Sequence, residues 1–306
     1  MRPLKATINH QALLSNLDHI KKLANKSKVM SVLKANAYGH NLLDVANTLS
    51  SSDGFAVLSI NEAMQLRKNN FKQSILLLEG FFDKDEVNIA SELRINVTVH
   101  NQKQIELINQ VKPTFPINIH LKINTGMNRL GFMPDEISYL LESLNSNPYI
   151  DDIVLMTHFS TADEEEGIEK QLGIFNLISD NYNYPASVAN SAAIIRYPES
   201  RLDWVRPGIM LYGLSPFEDK TSKDLGLIPA MSLISEIIAV QNIKAGNSVG
   251  YGLGFKANKD MRIGIVACGY ADGYPRHAKN GTPVAIDGYL SSLVGRVSMD
   301  MLYVDL

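Results

Sequence analysis

A lysine at the end of an apolar run is the first residue in this chain with chemistry to offer. Residues 27–33 read as a mostly apolar strand without polar alternation, the pattern of a strand buried on both faces. Lys34 closes it, in the segment Val32-Leu33-Lys34-Ala35-Asn36-Ala37-Tyr38-Gly39-His40. Desolvation at such a place disfavours the ammonium form. A neutral amine is a nucleophile, and nucleophilic lysines form Schiff bases with carbonyl compounds, pyridoxal phosphate (PLP) among them. Tyr38 adds a phenol and Gly39 a flexible backbone on the following turn. Position alone equally admits a lysine that snorkels to solvent, the commoner fate of this residue type.

Other reactive or hydrogen-bonding residues stand at the ends of further apolar runs. His158, in Met156-Thr-His-Phe-Ser160, is either a functional imidazole or a core histidine bonded to backbone. Asn190 and Ser191 join a strand end to a helix start, where free amides and a hydroxyl suit an anion, or else simply cap the helix. Arg206 precedes Pro207, Gly208 and Ile209; it either faces a ligand or pairs with Asp203. Gly208 lets backbone approach a ligand closely or merely permits a turn. The run from Asn124 to Arg129 completes the set.

The elements that must position these residues alternate regularly. Strand-like runs fall at 27–33, 55–58, 75–78, 95–99, 117–123, 153–156, 186–189 and 204–211. Helix-like stretches lie between them, among them 11–24, 83–93 and 134–144, a capping box opening at Ser59 and Glu62, and an acidic helix start at 164–166. Eight strands, each trailed by a helix or turn, are what a (β/α)8 TIM-type barrel requires, and the barrel collects the strand-end residues on one rim. A doubly wound open sheet competes less well, since its Gly-rich first turn is missing. After residue 228 the texture changes to short strand-like runs at 231–240, 262–267, 283–286 and 290–297 with glycine turns between them. The expected organisation is α/β, with a barrel over 1–228 followed by a smaller, mostly β domain over 229–306.

Composition narrows the function classes. A chain of 306 residues, 45% hydrophobic and 20% charged, has material for a large core, and a net charge of −3 gives no reason to expect nucleic acid or a membrane surface. The single cysteine, Cys268, excludes an intramolecular disulfide and fits a reducing compartment. The N-terminal residues hold no apolar leader-like run, so the expected location is the cytoplasm. No metal-ligand spacing, P-loop or dinucleotide fingerprint is present, so no metal is expected.

The Lys34 segment resembles the PLP-lysine signature of bacterial alanine racemases of fold-type III, and the similarity extends over nearly the whole chain. The resemblance implies the barrel fold, PLP held as a Schiff base on Lys34, and interconversion of L- and D-alanine through an external aldimine, supplying D-alanine for peptidoglycan. It implies two bases, with Lys34 working on D-alanine and Tyr251, in Gly250-Tyr251-Gly252, on L-alanine. Tyr251 would come from the other subunit of a homodimer. Of the remaining residues it implies that His158 stacks on the cofactor and that Arg206 faces the pyridine nitrogen. Tyr38, Asn190, Ser191, Gly208 and Ile209 complete the cofactor site. Arg129 reaches the substrate carboxylate, and Lys122 is a lysine that relatives can carbamylate. Asp163, Tyr270, Met299 and Asp300 belong to the substrate entrance and carboxylate region. Family members continue beyond the strand-like run Tyr303-Val-Asp-Leu306, so the β domain reads as truncated. Rival readings are a broad-specificity racemase, another PLP barrel enzyme such as a decarboxylase, and a non-catalytic PLP-binding barrel. Only the first two account for Tyr251.

Overall fold

The computed structural model describes residues 2–306. The chain begins with β1 (Leu4–Ile8) and α1 (His10–Ala24), whose N-terminus is capped by the Asn9 side chain. Next come β2 (Lys28–Val32), the single turn α2 (Lys34–Tyr38), α3 (Leu42–Thr48), β3 (Gly54–Val57), α4 (Ile60–Lys68), β4 (Ser74–Leu77), α5 (Lys84–Glu92), β5 (Asn96–Val99) and α6 (Gln102–Val111). Then follow β6 (Ile117–Lys122), α7 (Ile137–Asn145), β7 (Ile150–Met156), α8 (Glu169–Ser179), β8 (Ala186–Ser187), α9 (Ser191–Arg196) and β9 (Trp204–Val205). Strands β2 to β9 are parallel and close into a barrel in chain order, with β9 returning to β2 through Lys28↔Trp204 and Val29↔Val205.

Alternation along each strand sorts the side chains. Met30, Ala56, Leu76 and Met156 form a cluster of their own that fills the barrel interior. The intervening residues, such as Val29, Phe55, Val57 and Leu77, pack with Leu13, Leu17 and Ile20 of α1 and with the other helices. Both faces of the strands are therefore buried, which is why the sequence shows apolar runs instead of alternation.

Three expected elements differ. The eighth strand stops at Val205, because Pro207 has no N–H to donate to a ladder and Ile209–Tyr212 coils into a 3-10 turn. The acidic run 164–166 precedes its helix: Gly167 takes φ 65° and α8 starts only at Glu169. The first strand ends at Val32, and Leu33 separates it from Lys34.

The second compact unit comprises, of the described residues, 231–306 together with 2–7. It contains β10 (Met231–Ser235), β11 (Ile237–Ile243), β12 (Ser248–Val249), β13 (Phe255–Lys256), β14 (Met261–Val266), β15 (Pro283–Ile286), β16 (Tyr289–Ser292) and β17 (Leu302–Asp305). Its main sheet is antiparallel in the order β11-β14-β17, and β10 pairs with β1. The run expected as one strand over 231–240 is thus two, broken at Glu236, and the run at 290–297 ends as a strand at Ser292, beyond which Leu293 forms an isolated bridge with Val304 and Gly295 takes φ 73°. Leu293, Val297, Leu302, Val304 and Cys268 form its core. Among the described residues no helix is long and apolar enough to cross a membrane.

Candidate active site

The C-terminal ends of the barrel strands surround a cavity of about 560 Å³. Its walls contain Lys34, Tyr38, Lys122, Arg129, His158, Asp163, Asn190, Ser191, Arg206, Gly208 and Ile209. Every site residue that the sequence assigns to the barrel therefore meets in one place, as the strand-end rule for this architecture requires.

Lys34 is half-buried at the start of α2. Ala35, Asn36, Ala37 and Tyr38 all take φ between 54° and 55°, so this is a left-handed helical turn built from non-glycine residues. Each such residue costs on the order of 1–2 kcal/mol relative to a right-handed turn. The turn brings Tyr38 back over the rim, stacked on Tyr212 with ring centroids 4.7 Å apart, while the Tyr212 hydroxyl donates to the Val32 carbonyl at 2.9 Å. Burial pushes the Tyr38 phenol up, so it remains a donor. A Cβ on Gly208 would lie 2.8 Å from the Tyr38 hydroxyl, so glycine is required for this close approach.

Arg206 is buried and has no carboxylate partner. Its Nη1 donates to the Ser187 carbonyl (2.6 Å) and hydroxyl (2.7 Å), and its Nη2 to the Thr157 carbonyl (2.6 Å). Asp203, the alternative partner, instead accepts from the Ala186 amide at 2.8 Å. Desolvation lowers Arg206 to about 10, which still leaves it charged at neutral pH. His158 presents Nδ1 to Arg206 Nη2 at a long 3.5 Å. A guanidinium can only donate, so Nδ1 accepts and the proton sits on Nε2. Burial first, then the charges of Arg206, Lys122, Arg129 and Lys34, push His158 down to about 2, and the imidazole is neutral.

Lys122, also buried, is lowered to about 7 by desolvation and then by Arg206, Arg129 and Lys34. Thr157 ties this side of the site together: its hydroxyl donates to the Ile123 carbonyl and bonds to the Thr125 hydroxyl, both at 2.8 Å. On the opposite side Asn190 caps α9, accepting from the Ala193 amide at 3.0 Å, and also donates to the Phe159 carbonyl at 3.2 Å. The Ser191 hydroxyl accepts from the Gly208 amide at 2.9 Å, which joins the β8 and β9 loops.

Lys34, Lys122, Arg129 and Arg206 face the cavity, against Glu79 and Asp163 as the only carboxylates in its wall among the described residues. Such a surplus of cations calls for an anionic occupant. The Tyr38 and Ser191 hydroxyls in the wall can donate to a phosphate, the Arg206 guanidinium to an acceptor nitrogen, and the Lys34 amine can meet an aldehyde. The residues fit PLP.

Four assigned residues belong to the other unit. Tyr251 opens a 3-10 turn after Gly250 and is 69% exposed. Tyr270 donates its amide to the Ser298 carbonyl at 3.1 Å and the Ala271 amide bonds the Met299 carbonyl at 2.8 Å, so Tyr270, Met299 and Asp300 are neighbours within that unit. Arg2 binds Asp272 at 2.7 Å and also reaches the Asp300 carbonyl.

Sequence reasoning did not single out Leu58, Leu78, His100 or Met156 in the cavity wall, nor Ser187 and Thr157 behind it. Leu78 and His100 lie at strand ends and were open to the same rule. Ser187 and Thr157 carry no signal of their own. Among the described residues, no group of three His, Cys, Asp or Glu side chains could hold a metal ion.

Comparison with known proteins agrees with this geometry. The family model described as alanine racemase, N-terminal domain, matches residues 8–216, and that for the C-terminal domain matches 230–306. An alanine racemase of Nitrosospira multiformis is 50% identical over all of this chain and 86% of its own length. A catabolic alanine racemase of Klebsiella aerogenes is 46% identical with the same coverage. The crystal structure of the biosynthetic alanine racemase from Pseudomonas aeruginosa superposes with a TM-score of 0.97 at 43% identity, covering all of this chain and 86% of that one. The alanine racemase of Acinetobacter baumannii gives 0.94 at 44% identity, again over all of this chain and 86% of its own.

Proposed function

The chain belongs to the alanine racemase family, and from that premise we propose how its own residues interconvert L- and D-alanine and supply D-alanine for peptidoglycan. The observation that supports the reading is the unpaired cationic cavity with an amine at its edge and a carboxylate-free arginine at its back. PLP, when bound, supplies an aldehyde that condenses with an amine and a conjugated ring that acidifies the substrate Cα–H.

Lys34 would hold the cofactor, and its amine would take or return a proton at Cα on one face. Tyr251 does the same on the other, removing the proton from L-alanine while Lys34 removes it from D-alanine. Tyr38, Ser191, Gly208 and Ile209 receive the phosphate, with Asn190 shaping the helix start beside it. Arg206 can only donate, so it would hold a bound ring nitrogen as an acceptor, which would favour return of the proton to Cα over transamination. Neutral His158, with its proton on Nε2, has a donor to offer the Tyr251 phenolate. Arg129 neutralises the substrate carboxylate and the phenolate. Near neutral pH a large fraction of Lys122 is an uncharged amine, the form that takes up carbon dioxide as a carbamate and so gains a negative charge with which to hold Arg129. Asp163, Tyr270, Met299 and Asp300 line the substrate entrance.

Two bases must flank one carbon, and with Tyr251 coming from a second copy the active unit is a homodimer with shared sites. The cytoplasm is the proposed location. Both family models match, and a PLP-binding protein of the single-barrel type lacks the unit that carries Tyr251. The test is chiral analysis of alanine turnover together with borohydride trapping. Wild type should racemise and, after borohydride has bleached the yellow colour, carry the reduced pyridoxyl group on a Lys34 peptide, while Lys34→Ala and Tyr251→Phe should each lose on the order of 10³-fold or more in turnover. Undiminished interconversion in either variant would refute the assignment.

A further inference from the structure

Four consecutive residues after Lys34 adopt a conformation that only glycine takes without steric cost, so contacts outside the turn must hold it. Within the turn the Ala37 amide bonds the Leu33 carbonyl at 2.8 Å and the Gly39 amide the Ala35 carbonyl at 3.1 Å. The Asn36 amide is bound differently: it donates to Glu62 Oε1 at 2.9 Å. Glu62 sits in the first turn of α4, where its other oxygen, Oε2, accepts from the Leu58 amide (3.0 Å) and the Ser59 amide (3.3 Å), while the Ser59 hydroxyl accepts from the Glu62 amide. A capping box needs one carboxylate oxygen. Here the second leaves its own helix and links the end of β3 to the turn that follows its barrel neighbour β2.

We propose that Glu62 is a positioning residue for Lys34, its carboxylate holding the left-handed turn that sets where the Lys34 amine and the Tyr38 phenol stand on the cavity rim. The inference rests on the reading of Lys34 as the amine that carries the cofactor. Glutamine cannot replace the carboxylate here, since an amide offers one acceptor and turns its NH2 toward an N–H at the other end. The Asn36 side chain adds a second tie, accepting from the Leu42 amide at 2.8 Å. Ala35 is exposed, so a change there can alter the backbone preference without disturbing the core.

The test measures PLP affinity, the absorbance of the lysine-bound chromophore, and kcat and KM in Glu62→Ala, Glu62→Gln, Ala35→Gly and the double variant Glu62→Ala/Ala35→Gly, with circular dichroism and cofactor-free melting to verify folding. Both Glu62 variants should raise the PLP Kd about tenfold and lower kcat with KM for alanine changed less than about twofold. Ala35→Gly should restore most of the affinity in the double variant, because glycine removes the cost at one left-handed position. Wild-type PLP affinity and chromophore in Glu62→Ala would overturn the inference. So would an equal loss in Glu62→Ala and the double variant, which would make Glu62 a helix cap alone. Lys34→Ala is the control: a surviving chromophore there would remove the Lys34 reading itself, while its loss beside a normal Glu62→Ala would remove only the role of Glu62.

Discussion

In the function proposed above, Arg206 is the single residue that selects among the reactions the cavity could support. A buried guanidinium held by two carbonyls and a hydroxyl, with no carboxylate near it, is a fixed donor. Arg206→Gln should lower racemisation on the order of a hundredfold and raise the pyruvate formed per racemisation event, because the glutamine carbonyl, unlike a guanidinium, can accept from a protonated ring nitrogen. Unchanged pyruvate partition would show that the ring nitrogen is controlled from elsewhere. His120 gives a test of stability instead. It is fully buried on β6, its Nδ1 has no hydrogen-bond partner, and burial followed by the charge of Arg206 lowers it from 6.5 to about 3. The unfolded chain therefore binds a proton between about pH 6.5 and 3 that the folded chain refuses, and stability falls as pH falls through that window. His120→Leu should flatten the acid limb of urea-midpoint measurements by up to about 1.4 kcal/mol per pH unit. A variant whose midpoint falls as steeply as wild type between pH 6.5 and 5 would contradict the assignment.

At the scale of elements, α1 depends on one buried amide. Asn16 donates to the carbonyls of Leu211 (3.0 Å) and Ile228 (2.9 Å) and accepts from the Ile228 amide (2.9 Å), fastening the segments that follow the last barrel strand. Asn16→Leu leaves one buried and two part-buried backbone groups unpaired and should cost about 1–3 kcal/mol in denaturant unfolding. A cost below about 0.5 kcal/mol would mean water replaces the amide. The same elements show what a sequence reveals. Strands such as Ser74–Leu77 are legible because contiguous apolar residues buried on both faces leave a plain signature, and once eight are found the rim residues Lys34, His158, Ser191 and Arg206 follow from barrel geometry. The strand Trp204–Val205 is shorter than its sequence suggests, because apolar Ile209 and Leu211 look like strand but sit behind Pro207 in a 3-10 turn. The left-handed turn after Lys34 was invisible: Ala, Asn, Ala and Tyr carry no glycine signal, and the carboxylate that holds it is 26 residues from Asn36. Strand Leu4–Ile8 was missed because its partner, Met231–Ser235, is separated from it by the whole barrel sequence.

For the molecule as a whole, the barrel unit supplies the cofactor cavity and the second unit carries Tyr251, Tyr270, Met299 and Asp300. The central claim of the mechanism is that Lys34 of one copy and Tyr251 of another serve the same carbon. Mixing Lys34→Ala with Tyr251→Phe tests it directly, since a mixed dimer then contains one site with both bases intact and one with neither. Subunit exchange of the two inactive proteins at equal concentration should restore about a quarter of wild-type racemase activity. No recovery, with exchange verified by native mass spectrometry of the mixed dimer, would contradict a site shared between copies.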